Sequence, residues 1–156
     1  TQSSLDSSFE QQIEVDLGEP ALLPEDYLPD VNARLVLYKR IAAAENLAAL
    51  DELQVEMIDR FGLLPDAAKN LIHTTAVKLA ALPLGIHKVE ASAETAQLLI
   101  GEQHQLDPEK IILLIQQKPH RVKLNGGNKI KLLEKMETVQ QRRESIQKLL
   151  TELTMT

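Results

Sequence analysis

Residues 122–132 read Val-Lys-Leu-Asn-Gly-Gly-Asn-Lys-Ile-Lys-Leu, and this stretch decides the fold class. Apolar and polar residues alternate on both sides of the Asn-Gly-Gly-Asn segment, as they do in two half-buried strands. Glycine tolerates the positive φ that hairpin turns require, so the segment predicts a β-hairpin. An antiparallel sheet is therefore expected in the last third of the chain.

Other segments show the strand period around this hairpin. Residues 86–91 and 96–101 predict two further strands, and residues 13–17 alternate apolar and acidic side chains in the pattern of a short strand. A short helix is expected after Asp107, because Pro108 is suited to the first helical turn. The buried side of this helix is expected to carry Ile111, Ile112, Leu114 and Ile115.

Three helical patterns precede the sheet and one follows it. Asp30 and Asn46 are expected to cap the first two helices, because their side chains accept hydrogen bonds from free N–H groups of the first turn. Gly62 is expected to end the second helix and Pro65 to begin the third. The predicted apolar faces are Val31, Leu35, Tyr38 and Ile41 on the first helix and Val139, Ile146, Leu149, Leu150 and Leu153 on the last, which runs from about residue 137 to 153. Three N-terminal helices, a small mostly antiparallel sheet with an inserted helix, and a C-terminal helix define an α+β domain.

Composition restricts the class of protein. The chain contains no cysteine, which excludes disulfides and thiolate chemistry, and no apolar run of about 18 residues that would span a membrane. We therefore expect a cytoplasmic domain over residues 13–156, preceded by a disordered tail or linker at residues 1–12, which are rich in Ser and Gln. The first residue is Thr1 rather than Met, so a fragment or a processed product is expected.

Charge is distributed unevenly along the chain. Residues 1–66 hold 14 acidic and 4 basic side chains, whereas residues 67–156 hold 9 acidic and 13 basic ones. An acidic face could meet a basic partner, or both surfaces could simply be solvated, and charge alone does not choose between these interpretations.

Motifs for catalysis or cofactor binding do not occur in the sequence. There is no phosphate-binding loop and no dinucleotide fingerprint, and the four histidines (residues 73, 87, 104 and 120) lie more than four residues from one another. Four of the six serines cluster in residues 1–12, where no scaffold orients a base against them. We therefore expect no catalytic residue, metal site or cofactor in this chain.

Basic side chains gather in the last third, at Arg121, Lys123, Lys129, Lys131, Lys135, Arg142 and Arg143. The first four alternate with apolar residues and are expected to share one face of the predicted hairpin. That face is a candidate contact for the backbone of duplex DNA, whereas the lack of interleaved aromatics argues against single-strand recognition. The competing interpretation, which we favour, is the polar face of a half-buried sheet.

The end of the second predicted helix carries Glu56, Asp59 and Arg60 beside its apolar residues. Glu56 and Arg60 are four residues apart, a spacing that permits an ion pair on the helix surface. One interpretation is a solvated, ion-paired helix face. The other is a docking surface whose charge pattern selects a complementary partner.

Three segments resemble a known family. They are residues 22–35 (Leu-Leu-Pro-Glu-Asp-Tyr-Leu-Pro-Asp-Val-Asn-Ala-Arg-Leu), 38–42 (Tyr-Lys-Arg-Ile-Ala) and 59–65 (Asp-Arg-Phe-Gly-Leu-Leu-Pro). They resemble the C-terminal domain of bacterial transcription-repair coupling factor, and the similarity extends from about Ile13 to the end of the chain.

The resemblance implies a non-enzymatic fragment of an ATP- and Mg²⁺-dependent DNA translocase. The parent protein would displace stalled RNA polymerase from damaged DNA and recruit the excision-repair protein UvrA. This domain would dock on the parent's N-terminal UvrB-like domain and thereby mask the UvrA-binding surface. The charged residues that the family uses for this docking match Glu56, Asp59 and Arg60.

Overall fold

The computed structural model describes residues 13–154, so the tail expected at residues 1–12 lies outside the described part of the chain. Within that part lie five α-helices: α1 (Val31–Ala42), α2 (Leu47–Phe61), α3 (Asp66–Ala81), α4 (Pro108–Gln117) and α5 (Val139–Leu153). The strands are β1 (Glu14–Asp16), β2 (Ile86–Ala91), β3 (Thr95–Ile100), β4 (Val122–Asn125) and β5 (Lys129–Leu133). A 3₁₀ turn (Leu82–Leu84) follows α3. The predicted α+β class is confirmed.

The strands form one mixed sheet in the order β1-β2-β3-β5-β4, so that β1 and β4 lie at its edges. Only β1 pairs in parallel, with β2, and the other three pairings are antiparallel. The hairpin predicted from the Asn-Gly-Gly-Asn segment connects β4 to β5. Gly126 and Gly127 adopt φ values of 63° and 82° in its turn, which explains the two glycines.

Two clusters of buried side chains form the interior. One lies between the sheet and helices α3, α4 and α5, and the other is built from α1, α2, α3 and the loop before α1. Helix α3 contributes to both: Ala68 and Ile72 belong to the helical cluster, and Val77 and Ala81 to the sheet cluster. The helix thereby fixes the position of the α1–α2 pair relative to the sheet.

The helix ends predicted at Asp30, Asn46 and Gly62 are confirmed, whereas Pro65 is the N-cap of α3 and not its first residue, and α5 begins at Val139, two residues later than expected. The carboxylate of Asp30 accepts a hydrogen bond from the N–H of Asn32 (3.1 Å), and the Asn46 side chain accepts one from the N–H of Ala49 (2.8 Å). Gly62 follows α2 with a φ of 93°. These local caps explain why the boundaries were readable from sequence.

The predicted inner face of α1 is wrong at two positions. Leu37 and Ile41 are buried, whereas Val31 and Leu35 are more than half exposed. The sequence contains two overlapping apolar faces on this helix, and contacts with α2 and α3 decide which one is buried. The same error occurs at Ile112 on α4, which is exposed although Ile111 and Leu114 are buried.

Arg142, one of the basic residues of the last third of the chain, lies inside the protein at 4% exposure. Its guanidinium donates hydrogen bonds to the backbone oxygens of Leu17 (2.7 Å), Met136 (3.0 Å) and Glu137 (3.3 Å). Gly18 has a φ of 86°, and a Cβ there would lie 2.8 Å from the Ala91 oxygen and 3.1 Å from Arg142 Nη1. The segment after β1 therefore approaches Arg142 closely only because residue 18 is glycine.

We expect Arg142→Met to lower the free energy of unfolding by about 3 kcal/mol, because buried backbone oxygens lose their donor. Urea denaturation followed by circular dichroism measures this change. Lys148→Met is the control, since Lys148 is exposed on the same helix, and its effect should stay within about 0.5 kcal/mol. Equal stability of the two variants would contradict the role assigned to Arg142.

Candidate functional site

Glu56 forms an ion-paired cluster on the surface between α1 and α2. Its Oε2 and Oε1 atoms accept hydrogen bonds from Nη1 and Nη2 of Arg40 at 2.5 and 2.8 Å, a two-pronged geometry. Nη1 of Arg60, one turn further along α2, donates to Oε2 at 3.1 Å. The Arg40 and Glu56 side chains remain 43% and 35% exposed, so the cluster is accessible to a partner.

The two arginines lower the pKa of Glu56 from its ordinary value of 4.5 to about 2. Hydrogen bonding from Arg40 is the largest cause and hydrogen bonding from Arg60 is the second. Glu56 is therefore a carboxylate throughout the physiological pH range.

Asp59 differs from Glu56 in its surroundings. It is exposed on α2, and no residue within 13–154 forms an ion pair or a side-chain hydrogen bond with it. The cluster thus presents one carboxylate that is already paired and one that is not. Only the unpaired one has all of its acceptor positions available to a partner.

Aromatic side chains hold the end of α2 in place. The Arg60 guanidinium lies 4.8 Å from the centroid of the Phe61 ring, and Phe61 meets Tyr27 edge to face at 6.3 Å. The Tyr27 hydroxyl lies 3.1 Å from the backbone oxygen of Gly62 and 3.3 Å from that of Met57, within hydrogen-bond reach of both. These contacts limit the movement of Arg60 and of the loop after α2.

Apolar surface adjoins the charged cluster. A cleft of about 220 Å³ lies beside Arg60 and Phe61 and is lined on α1 by Asn32, Ala33, Val36 and Leu37. Val36 is 55% exposed, and Leu63 in the loop after α2 is 84% exposed. The surface therefore combines charged groups with apolar side chains, as the contact regions of proteins do.

The structure joins Glu56 and Arg60 by a hydrogen bond and places Asp59 on the same helix end, with no ion pair or side-chain hydrogen bond to either of them. Sequence reasoning missed Arg40, which contacts Glu56 from a position 16 residues earlier. Helical spacing reveals partners three or four residues apart and gives no signal at that separation. Arg40 did lie within the family-like segment at residues 38–42.

The basic residues of the hairpin are divided by the fold. Arg121 is 15% exposed and pairs with Glu152 at 2.8 Å and with Glu134 at 3.4 Å. Lys123 and Lys131 are neighbours across β4 and β5, and Lys129 is paired in register with Asn125. The face thus presents three lysines, with Arg121 already bound to carboxylates.

Within residues 13–154 no group of three or more histidine, aspartate or glutamate side chains is placed to hold a metal ion. No helix in that range combines the length and the apolar character needed to cross a membrane. His73 is half-buried beside Arg143, and this burial lowers its pKa.

Comparison with solved structures gives the class of the domain. The fold matches a crystal structure of the C-terminal domain of transcription-repair coupling factor with a TM-score of 0.74, over 90% of this chain and 91% of that one, at 21% sequence identity. The class is therefore an α+β domain with the fold of that C-terminal domain.

Sequence comparison gives the family. A protein-family model described as the TRCF domain matches residues 17–111 of the sequence. The chain therefore belongs to this family. It is 48% identical over 130 residues to the transcription-repair-coupling factor of Haemophilus influenzae, covering 83% of this chain and 11% of that protein. It is 39% identical over 150 residues to the protein of the same name from Escherichia coli, covering 96% of this chain and 13% of that one. The expected family is confirmed, and the chain spans about an eighth of the length of these relatives.

We expect the side-chain carboxyl carbon of Glu56 to titrate with a midpoint near pH 2 in an NMR experiment. Because the folded pKa lies below the ordinary value, the stabilisation by this cluster is present above pH 4.5 and is lost as the pH falls toward 2. Arg40→Gln should raise the midpoint more than Arg60→Gln, since Arg40 donates two of the three hydrogen bonds. The reverse order would contradict the geometry described above.

Proposed function

We propose that this chain is the autoinhibitory C-terminal domain of an ATP-dependent DNA translocase that couples transcription to nucleotide excision repair. In this proposal the exposed end of α2 docks on the UvrB-like domain of the same protein and masks the surface that binds UvrA. The observation that carries the proposal is the presence of three charged side chains on one helix end, with Asp59 and Arg60 exposed and Glu56 accessible at 35%. The names of the curated relatives support the parent protein.

The chemistry of this surface suits a contact between two domains that must be able to separate. Asp59 is free to accept a hydrogen bond from a partner, and exposed ion pairs are each worth little in water. Such a contact persists while both domains belong to one chain, because tethering keeps their effective concentration high. Another ligand opens it when that ligand binds the open state more tightly than the closed state.

The remaining activities of the proposed parent belong to its other segments. ATP and Mg²⁺ binding, translocation on DNA and the contacts with RNA polymerase and UvrA are assigned to the portion of the parent that this chain does not span. The chain itself supplies regulation, with no reaction step and no cofactor of its own. The parent acts in the cytoplasm, where its DNA is located.

We expect Glu56→Ala/Asp59→Ala/Arg60→Ala to weaken binding of this chain to the separately expressed UvrB-like domain at least tenfold, because the variant removes every charged group of the end of α2. Isothermal titration calorimetry measures the dissociation constant. Glu102→Ala/Glu109→Ala/Lys118→Ala is the matched control, since it removes the same numbers of acidic and basic groups from exposed positions near α4.

Two outcomes decide this proposal. Equal binding by wild type and the α2 variant would overturn the site assignment. In the full-length parent the same α2 variant should increase UvrA binding, whereas unchanged UvrA binding would overturn the masking role.

A second candidate function is accessory binding of duplex DNA, and the pairing of Lys123 with Lys131 favours it. Like charges directly opposite each other on a sheet are unfavourable, and a bound phosphate would relieve their repulsion. Arg121 is engaged by Glu134 and Glu152, so Lys129 would be the third contact.

If the hairpin binds duplex DNA, affinity should fall steeply with added salt, with a slope of about −3 in log K against log salt for three phosphate contacts. Fluorescence anisotropy with a labelled duplex measures this slope. Lys123→Gln/Lys131→Gln should abolish most of the binding, with Lys39→Gln/Lys148→Gln as the control for charge. No binding at low salt would eliminate this candidate.

A further inference from the structure

The carboxylate of Glu56 has little capacity left for another partner. A carboxylate offers about four acceptor positions on its two oxygens. Three hydrogen bonds already occupy three of these positions, two from Arg40 and one from Arg60. Arg40 spans both oxygens, so it occupies the orientation in which an arginine binds a carboxylate most strongly.

This occupancy limits how a partner can bind. A guanidinium from another domain cannot take up the two-pronged geometry at Glu56 while Arg40 holds it. Asp59, three residues further along α2, carries no such restriction, because no described residue pairs with it. The acidic excess of residues 1–66, which include both carboxylates, favours a cationic partner surface.

We propose that Arg40 is an internal competitor for the Glu56 carboxylate, so that docking of a cationic partner group at Glu56 exchanges one ion pair for another. The inference rests on the docking role proposed above. Asp59 takes the first contact with the partner, and Glu56 joins when Arg40 turns away. Arg40 is 43% exposed, so its side chain can move into water without leaving a buried charge unpaired.

The exchange keeps the closed and open states close in free energy. When the domains separate, Arg40 returns to Glu56, and the carboxylate is not left without a partner. Docking through Glu56 therefore gains only the difference between two similar ion pairs. A small preference of another ligand for the open state is then enough to shift the equilibrium.

Arg40→Gln in the 156-residue chain tests the proposal, with titration against the separately expressed UvrB-like domain of the same parent. We expect this variant to bind about three- to fivefold more tightly than wild type, as suits the loss of a competing surface ion pair. Lys39→Gln is the matched control, because it removes the same charge from the neighbouring exposed position of α1. Arg40→Lys should show intermediate affinity, since an ammonium cannot span both carboxylate oxygens.

Every outcome decides the proposal. Weaker binding by Arg40→Gln would show that Arg40 takes part in the docked contact itself. Binding equal to that of Lys39→Gln would show that the Arg40–Glu56 pair is a surface salt bridge with no effect on docking. Either result would overturn the inference. In a Glu56→Gln background, Arg40→Gln should tighten binding no more than Lys39→Gln does, and a larger effect there would show that overall charge is responsible.

The same titrations separate this inference from the function on which it depends. If Glu56→Gln and the triple variant of the α2 end leave binding unchanged, the docking assignment itself fails. If those variants weaken binding while Arg40→Gln fails to tighten it, the docking assignment stands and only the competition is refuted.

Discussion

The buried guanidinium of Arg142 is the constraint on which the arrangement of the sheet cluster depends. It donates hydrogen bonds to three backbone oxygens in two segments that are far apart in sequence, one after β1 and one before α5. A charge at 4% exposure is costly unless it is hydrogen-bonded and paired; these three oxygens supply hydrogen bonds, and a carboxylate oxygen of Glu19 lies 4.0 Å from Nη1. Strand β1 is only three residues long, so its parallel pairing with β2 depends on this additional attachment.

Helix α3 connects the sheet cluster to the helices that carry the α2 surface. Its first half packs among α1 and α2, and its second half packs against the sheet. The charged end of α2 is therefore presented by a framework with two packed interiors and not by a mobile loop. Aromatic contacts of Phe61 with Tyr27 and Arg60 add to this support at the end of α2.

Much of this fold could be predicted because its signals are local. The hairpin follows from two glycines with alternating strands on either side, and the caps at Asp30 and Asn46 bond to N–H groups two and three residues away. The buried face of α5 was also correct, since its five predicted apolar residues have only one helical face to share. Val31 and Leu35 were misplaced because α1 has two apolar faces, and packing against the neighbouring helices determines which one is buried.

Of the candidate site, residue identity suggested Glu56, Asp59 and Arg60, while the contact from Arg40 required the packing of α1 on α2. Arg142 reaches across 125 residues to Leu17, a separation at which sequence patterns carry no information.

The position of β4 at the edge of the sheet has a consequence for self-association. An edge strand has backbone groups without partners, to which a strand from a second molecule could pair and start a growing aggregate. Lys123 lies on this edge strand, paired in register with Lys131 of the neighbouring strand β5. A strand from a second copy that paired with β4 would have to accommodate the charge of Lys123, and a lysine on an edge strand disfavours such pairing. The same lysine thus disfavours growth of the sheet from one copy to the next.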